Sequence, residues 1–206
     1  FEIVKTISTA TEMNNLKEML KKECEYVPSD STLDALLAAA ISLEYKEKEP
    51  VIEVGSIDRS LYIVKSGIIR ATDIDGERER TVAYATPGTV FFSKHSFIKG
   101  KPSYLRFEAC CPSTVMRIPS ALYREQLRTN HDFSLWILHL AYEELYYQEL
   151  KNSGINQGAA KEKLVSFISI RPEIFEKVRQ KYIASYLGIA PEYLCRLKKS
   201  IKNRRD

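Results

Sequence analysis

The sequence predicts an α+β protein: an antiparallel β sandwich or barrel with flanking helices, then a long helix, then a small all-helical unit. Three observations predict it. Between about residues 44 and 118 the apolar residues fall in short runs separated by Gly, Pro and Asp turn signals. On both sides of that stretch their spacing is helical. The C-terminal end combines a strong basic excess with two short helical patterns joined at a glycine. The 206 residues are enough for one large domain or two small ones with a real core.

Residues 12–23 read as a helix with Met13, Leu16, Met19 and Leu20 on one face. Residues 31–43 read as a second, capped by Ser31 or Thr32, with Leu33, Leu36, Leu37, Ala40 and Ile41 at helical spacing. Strands are expected at 51–54, 61–64, 68–72, 81–84, 90–92, 105–110 and 114–118. In the sixth, Leu105, Phe107 and Ala109 alternate with Arg106, Glu108 and Cys110, the pattern of a strand with one buried face. A short helix follows from Ser120 to Arg128. Asn130 can then cap a long one over roughly 132–151. Its apolar surface runs nearly all round: Leu135, Leu138, Tyr142 and Leu145 follow 3-4-3 spacing, and Trp136, Ile137, Leu140 and Ala141 widen the stripe. Such a helix needs two surfaces to pack on, which the β domain and a second subunit could supply. Ser153-Gly154 and Gln157-Gly158 mark a hinge, Ala159 to Ile170 a further helix, and Glu173 to Val178 a short piece after Pro172.

Composition narrows the function. Hydrophobic residues make up 44% and charged ones 28%, the proportions of a soluble globular chain, and no apolar run nears the ~18 residues of a membrane span. No secretory signal is visible, so a cytoplasmic location is expected. The sequence begins at Phe1 rather than Met, and a short native segment is expected ahead of it. Cys24, Cys110, Cys111 and Cys195 form no CxxC pair and read as free thiols of a reducing compartment; nothing assigns Cys110 or Cys111 a redox role. The net charge of +4 conceals an asymmetry: Lys177 to Asp206 holds nine Lys and Arg against two Asp and Glu, leaving the rest of the chain at −3. A basic patch confined to one end is the footprint of a nucleic-acid reader.

That basic end coincides with a motif. In Ile183 to Leu197, Ala184 is the small residue where two helices cross, Gly188 tolerates positive φ in the turn, and Ile183, Leu187, Ile189, Leu194 and Leu197 pack the helices together. This is a helix-turn-helix. Pro191 suits the first position of the second helix, Glu192 favours its positive end, and Ala190 is a poor cap. Leu194, Leu197 and Ile201 form the buried stripe; Glu192, Tyr193, Cys195, Arg196, Lys199 and Asn203 are the DNA-reading candidates on the other side. Arg196 can grip guanine O6 and N7, and Glu192 can accept from cytosine N4 or orient Arg196. Lys198, Lys199, Lys202, Arg204 and Arg205 read as phosphate contacts.

With these motifs in place, the chain resembles the Crp/Fnr superfamily over nearly its whole length. Val51 to Gly55 and Leu61 to Gly67 resemble the family's first barrel block. Asp75 to Glu79 resembles its hairpin, and Pro87 to Phe91 the start of its phosphate-binding cassette. Ile183 to Lys199 resembles its helix-turn-helix, with Glu192 and Arg196 on base-contacting positions. From Ala160 onward the chain looks closest to the short wingless regulators common in Bacteroidetes. The resemblance implies a double-stranded β-helix (jelly-roll) sensor barrel over 1–130, a dimerisation helix and hinge over 131–156 and a helix-turn-helix DNA-binding domain over 157–206. It also implies a homodimer on a near-palindromic double-stranded site, RNA polymerase as a partner, and a transcription regulator rather than an enzyme.

One departure bears on the ligand. Cyclic-nucleotide members carry Phe-Gly-Glu in the cassette and an Arg before the next strand, for the ribose hydroxyl and the cyclic phosphate. Here Phe92 and Ser93 replace Gly and Glu, Ser103 replaces the Arg, and Arg106 lies three residues on. An unpaired phosphate in a partly apolar pocket is costly, so cAMP is not expected to bind productively. Another effector, or none, would meet Phe91, Phe92, Ser93, His95, Ser103, Tyr104 and Arg106. No cofactor or metal is expected: the cysteine cluster of iron–sulfur members is missing, and the barrel's single histidine, His95, cannot build the two-His-one-carboxylate set of barrel enzymes. His131 and His139 read as surface or satisfied polar residues. The alternative reading is a ligand-sensing or protein-interaction module with a vestigial helix-turn-helix.

Overall fold

A computed structural model describes residues 2–22, 25–76, 78–152, 164 and 171–202. Two helices, α1 (Glu2–Lys22) and α2 (Asp30–Ala38), precede eight strands: β1 (Ile41–Tyr45), β2 (Pro50–Ile52), β3 (Leu61–Ser66), β4 (Ile69–Asp75), β5 (Arg78–Ala85), β6 (Val90–Phe91), β7 (Leu105–Ala109) and β8 (Ser113–Ile118). A short helix α3 (Lys94–Lys99) interrupts them after β6; α4 (Ser120–Thr129) and α5 (His131–Asn152) follow. The described C-terminal helices are α6 (Pro172–Lys177), α7 (Gln180–Leu187) and α8 (Pro191–Lys202). The strands form two four-stranded antiparallel sheets, ordered β1-β8-β3-β6 and β2-β7-β4-β5. This is the jelly-roll barrel of the expected α+β class, with helices outside it. The expected hinge at 153–158, the expected helix at 159–170 apart from buried Leu164, and Cys24, Asn203, Arg204 and Arg205 lie outside the described residues, as do the side chains of Ile201 and Lys202.

The period-2 pattern explains the layers. On β3, Tyr62 and Val64 point between the sheets and join Val115, Phe91, Ile69, Ala71, Phe107 and Ala109. Tyr62, Phe91 and Phe107 stack across that interior, with centroids 5.3 and 5.6 Å apart. Leu61 and Ile63 point outward with Met116 and Ile118, against Leu16 and Leu20 of α1, Leu33, Leu36 and Leu37 of α2, and Phe133 and Trp136 of α5. All four β3 positions are therefore buried, which a strand with both faces covered requires.

Three expectations are corrected. The second helix ends at Ala38, and Ile41–Tyr45 is a strand paired with β8, so Ala40 and Ile41 do not extend the helical stripe; sheet pairing overrides local spacing. The cap is Ser29, not Ser31 or Thr32: Ser29 Oγ accepts the Thr32 amide at 3.3 Å. Glu108 faces away from the interior of β7 yet is buried, because it pairs with buried Arg70 of β4 beneath the C-terminal helices. Among smaller differences, the first helix starts earlier, and Met19 is exposed rather than buried with Leu16 and Leu20; Gly88 packs against it, where an added Cβ would come within 2.8 Å of the Met19 Cβ.

Asn130 caps α5 as expected, accepting the Phe133 amide at 3.0 Å. Two residues on, Asp132 ties α5 to α2: its carboxylate accepts from the Tyr26 hydroxyl (2.6 Å), the Ser29 amide (2.9 Å) and Ser29 Oγ (2.7 Å). Partial burial pushes the Asp132 carboxyl up, but hydrogen bonds from Thr32, Tyr26 and Ser29 outweigh it and hold the group well below the usual carboxylate range. A depressed folded value stabilises above the unfolded value near pH 4 and is lost as pH falls through the folded one. Asp132→Asn is therefore expected to cost about 1–2 kcal/mol at neutral pH. Urea melts should show the gap from wild type narrowing as pH drops below about 4; a gap independent of pH would contradict this.

Candidate nucleic-acid interface

The two C-terminal helices have the expected geometry. Gly188 ends α7 in the left-handed conformation (φ 68°), which a β-carbon would strain, and the Ile189 amide closes the turn on the Ala184 carbonyl at 3.0 Å. Ile183, Ala184, Leu194 and Leu197 are buried in one cluster with Ile174 and Val178 of α6 and its vicinity. Pro191 opens α8.

The other side of α8 is open. Glu192, Tyr193, Cys195, Arg196 and Lys199 are all exposed, brought onto one accessible surface by the helical period. The Arg196 guanidinium lies 5.7 Å from the centre of the Tyr193 ring. Cys195 Sγ is 3.7 Å from Gln180 Oε1, so the N-terminus of α7 borders the same surface. Lys198 is turned to the flank, its ammonium 5.1 Å over the Phe175 ring. Gln180 was not singled out from the sequence; its place one turn before Ala184, at the start of the first helix, is the available signal.

The seven candidate effector residues do not converge. Phe91 is stacked inside the barrel. Phe92 packs on Phe97 of α3 (4.6 Å). Ser93 and Ser103 do meet: Ser93 Oγ donates to Ser103 Oγ at 2.8 Å, Ser103 Oγ donates to the Leu105 carbonyl at 2.7 Å, and both residues are buried. His95 lies outside that pair, its Nδ1 2.8 Å from the Pro102 carbonyl and its ring 5.5 Å from exposed Tyr104. Arg106 is not a substitute for the phosphate-pairing arginine: it lies in register with Thr72 on the outer face, beside Glu53 (3.4 Å) and Glu108 (3.3 Å). The hydroxyls of Ser93 and Ser103, at the positions of the family's Glu and Arg, thus satisfy each other, while Arg106, the arginine among the seven, lies beside Glu53 and Glu108.

On α5, Phe133 and Trp136 are buried against the barrel and Leu135 is half-buried, while Leu138, Tyr142 and Leu145 are 43, 54 and 65% exposed. The helix thus has one covered face and one uncovered apolar face. His139 stacks on Tyr26 at 5.1 Å, and His131 is exposed. Burial pushes the Cys110 thiol up to about 12, so it is protonated at neutral pH. Among the described residues no cluster of three or more His, Cys, Asp or Glu could hold a metal, and no helix is long and apolar enough to cross a membrane.

Residues 42–130 match the family model of the cyclic nucleotide-binding domain. Solved structures are similar over about four fifths of the chain. FixK2 from Bradyrhizobium japonicum superposes with a TM-score of 0.68 at 17% identity, covering 80% of this chain and 85% of that one. The chain has the fold of the Crp/Fnr regulators. The c-di-GMP-responsive regulator CLP from Xanthomonas campestris (TM-score 0.64, 17% identity, 85% and 93% covered) shares this Crp/Fnr fold. So does the catabolite activator protein of Thermus thermophilus (0.55, 17%, 85% and 84%). No curated protein sequence matches the chain.

Proposed function

We propose that this protein is a homodimeric, sequence-specific DNA-binding transcription regulator of the cytoplasm whose barrel does not take cAMP. The observation that carries this is the open face of α8: a helix-turn-helix with its turn and core intact, presenting Glu192, Tyr193, Cys195, Arg196 and Lys199 uncovered at the basic end of the chain. Arg196 reads a guanine in the major groove and Lys199 holds a phosphate. Residues 1–130 serve as the sensor barrel, 131–156 as dimer helix and hinge, and 157–206 as the DNA-binding domain. The uncovered face of α5, through Leu138, Tyr142 and Leu145, is the seam between subunits, and RNA polymerase is the downstream partner. Any effector other than cAMP would have to reach a barrel interior crossed by the Tyr62, Phe91 and Phe107 stack.

Selection of bound sequences from a random DNA pool, with and without cAMP, tests this reading. A palindromic consensus unchanged by cAMP is expected. Enrichment only with cAMP would overturn the reading of the barrel, and no enrichment in either condition would favour an interaction module. On the selected site, Arg196→Ala should cost about 1–3 kcal/mol and relax preference at one base pair of each half-site. Lys199→Ala should weaken all DNA alike and reduce the salt slope by about one unit per contact. Equal effects of the two substitutions on specificity would contradict the assigned roles.

A further inference from the structure

The helix-turn-helix is docked on the barrel through its first helix. β5 is the edge strand of its sheet, and an edge strand exposes unpaired amides. Here the Thr81 amide donates to Ser185 Oγ of α7 at 3.0 Å. One turn away, the Tyr182 ring lies 3.5 Å from the guanidinium carbon of Arg70. Arg70 is 2% exposed; its Nε donates to Glu108 at 2.8 Å, its Nη1 to Thr81 at 3.2 Å, and it also pairs with Glu79. At the start of α7, Arg179 pairs with Glu47 at 2.6 Å. A guanidinium fixed by carboxylates on one side and faced by a ring on the other has one orientation, and a cation–π contact is strongest where it is desolvated. These contacts use α7 and leave the reading face of α8 uncovered.

We propose that Tyr182 seated on the Arg70–Glu108 pair is a latch between barrel and helix-turn-helix, which sets the spacing of the two reading helices in the dimer without an effector. The spacing role rests on the DNA-binding reading above; the latch itself does not. Two half-sites bound by rigidly held modules gain effective concentration only when their separation matches the protein, whereas a released module tolerates other spacings and loses that gain. The latch consists of residues of the chain itself; of the candidate effector positions, Arg106 touches it, 3.3 Å from Glu108.

Hydrogen exchange on the full chain tests the latch without DNA. In Tyr182→Ala the Thr81 amide should exchange at least about tenfold faster while the β3 and β8 amides keep their protection. Tyr182→Phe, which keeps the ring, should behave as wild type. Because Tyr182→Ala also removes packing from the C-terminal unit, the paired change Arg70→Gln with Glu108→Gln probes the same contact from the barrel side and should likewise release Thr81. Unchanged Thr81 protection in the paired variant overturns the latch. On the DNA selected by wild type, inserting one or two base pairs between half-sites should weaken wild-type binding about tenfold or more, and Tyr182→Ala should lose most of that penalty together with its advantage at the native spacing. A spacing penalty retained in Tyr182→Ala overturns the spacing role. If wild type selects no DNA, the DNA-binding reading fails, and the exchange result alone decides the latch.

Discussion

Glu108→Ala is expected to destabilise the protein by about 3 kcal/mol, the low end of the range for breaking a buried ion pair. The deletion leaves the Arg70 guanidinium, 2% exposed, without the carboxylate that accepts from its Nε. Two partners moderate the loss: Glu79, 42% exposed, and the Thr81 hydroxyl both remain. Water cannot easily compensate, because Tyr182 lies over the exposed side of the guanidinium. Replacing both charges with apolar residues of similar volume, Arg70→Met with Glu108→Leu, is expected to be neutral or stabilising by about 1–4 kcal/mol, since neither charge then has to be desolvated. Urea denaturation followed by circular dichroism checks the pair. A Glu108→Ala midpoint equal to wild type would mean that Glu79 alone satisfies Arg70. The contrast between single and paired changes matters for function: the ion pair is then retained for the orientation it gives Tyr182 rather than for the stability of the barrel.

That same cluster marks the limit of what the sequence discloses. The alternation of Leu105, Phe107 and Ala109 with Arg106, Glu108 and Cys110 shows which residues face the barrel interior, and those three apolar residues do join it or line it. It does not show that the other face is covered, because coverage depends on a helix about 75 residues away, by difference in chain number. Tyr182, Ser185 and Tyr186 are spaced along one side of α7, away from Ile183 and Leu187, and such an aromatic stripe outside the helix-pair core is the only local sign of a second partner. The pair α7 and α8 with its turn at Gly188 was legible, because its small residue, glycine turn and apolar spacing are all local requirements met within Ile183 to Leu197. The boundary between α2 and β1 was not: Ala40 and Ile41 continue a helical spacing, and only the pairing of Ile41 with Arg117 and of Ser42 with Met116 on β8, far along the chain, starts the strand there. The effector candidates illustrate a third limit. Neighbours in sequence, Phe91, Phe92 and Ser93, point into three different environments, so a cassette read as a continuous string overstates how many of its side chains can meet one ligand.

The largest loss of stability is expected at the protein's single tryptophan. Trp136 is completely buried where α5 crosses the outer face of the β1-β8-β3-β6 sheet, edge-on to Phe133 at 5.9 Å and surrounded by leucines of α1 and α2. Trp136→Ala removes the largest buried side chain and opens a cavity among three helices and a sheet that cannot all collapse inward, for a cost of about 3–5 kcal/mol. Against a total of about 5–15 kcal/mol, that is enough to detach α5 from the barrel under mild conditions. Trp136→Phe should behave quite differently. It keeps most of the apolar volume, and it deletes an indole N–H that is buried without a hydrogen-bond partner. Relief of that unsatisfied donor, worth about 1–3 kcal/mol, offsets much of the lost contact, so the net change should stay within about 1.5 kcal/mol. Circular dichroism melts compare the variants, since both abolish tryptophan fluorescence. Because α5 also carries Leu138, Tyr142 and Leu145 on its uncovered face, Trp136→Ala should weaken self-association as well, measurable by sedimentation, whereas Trp136→Phe should leave it unchanged. Equal stability losses in the two variants would mean that the indole N–H has a partner that the folded chain supplies, and that the ring is held by more than its volume.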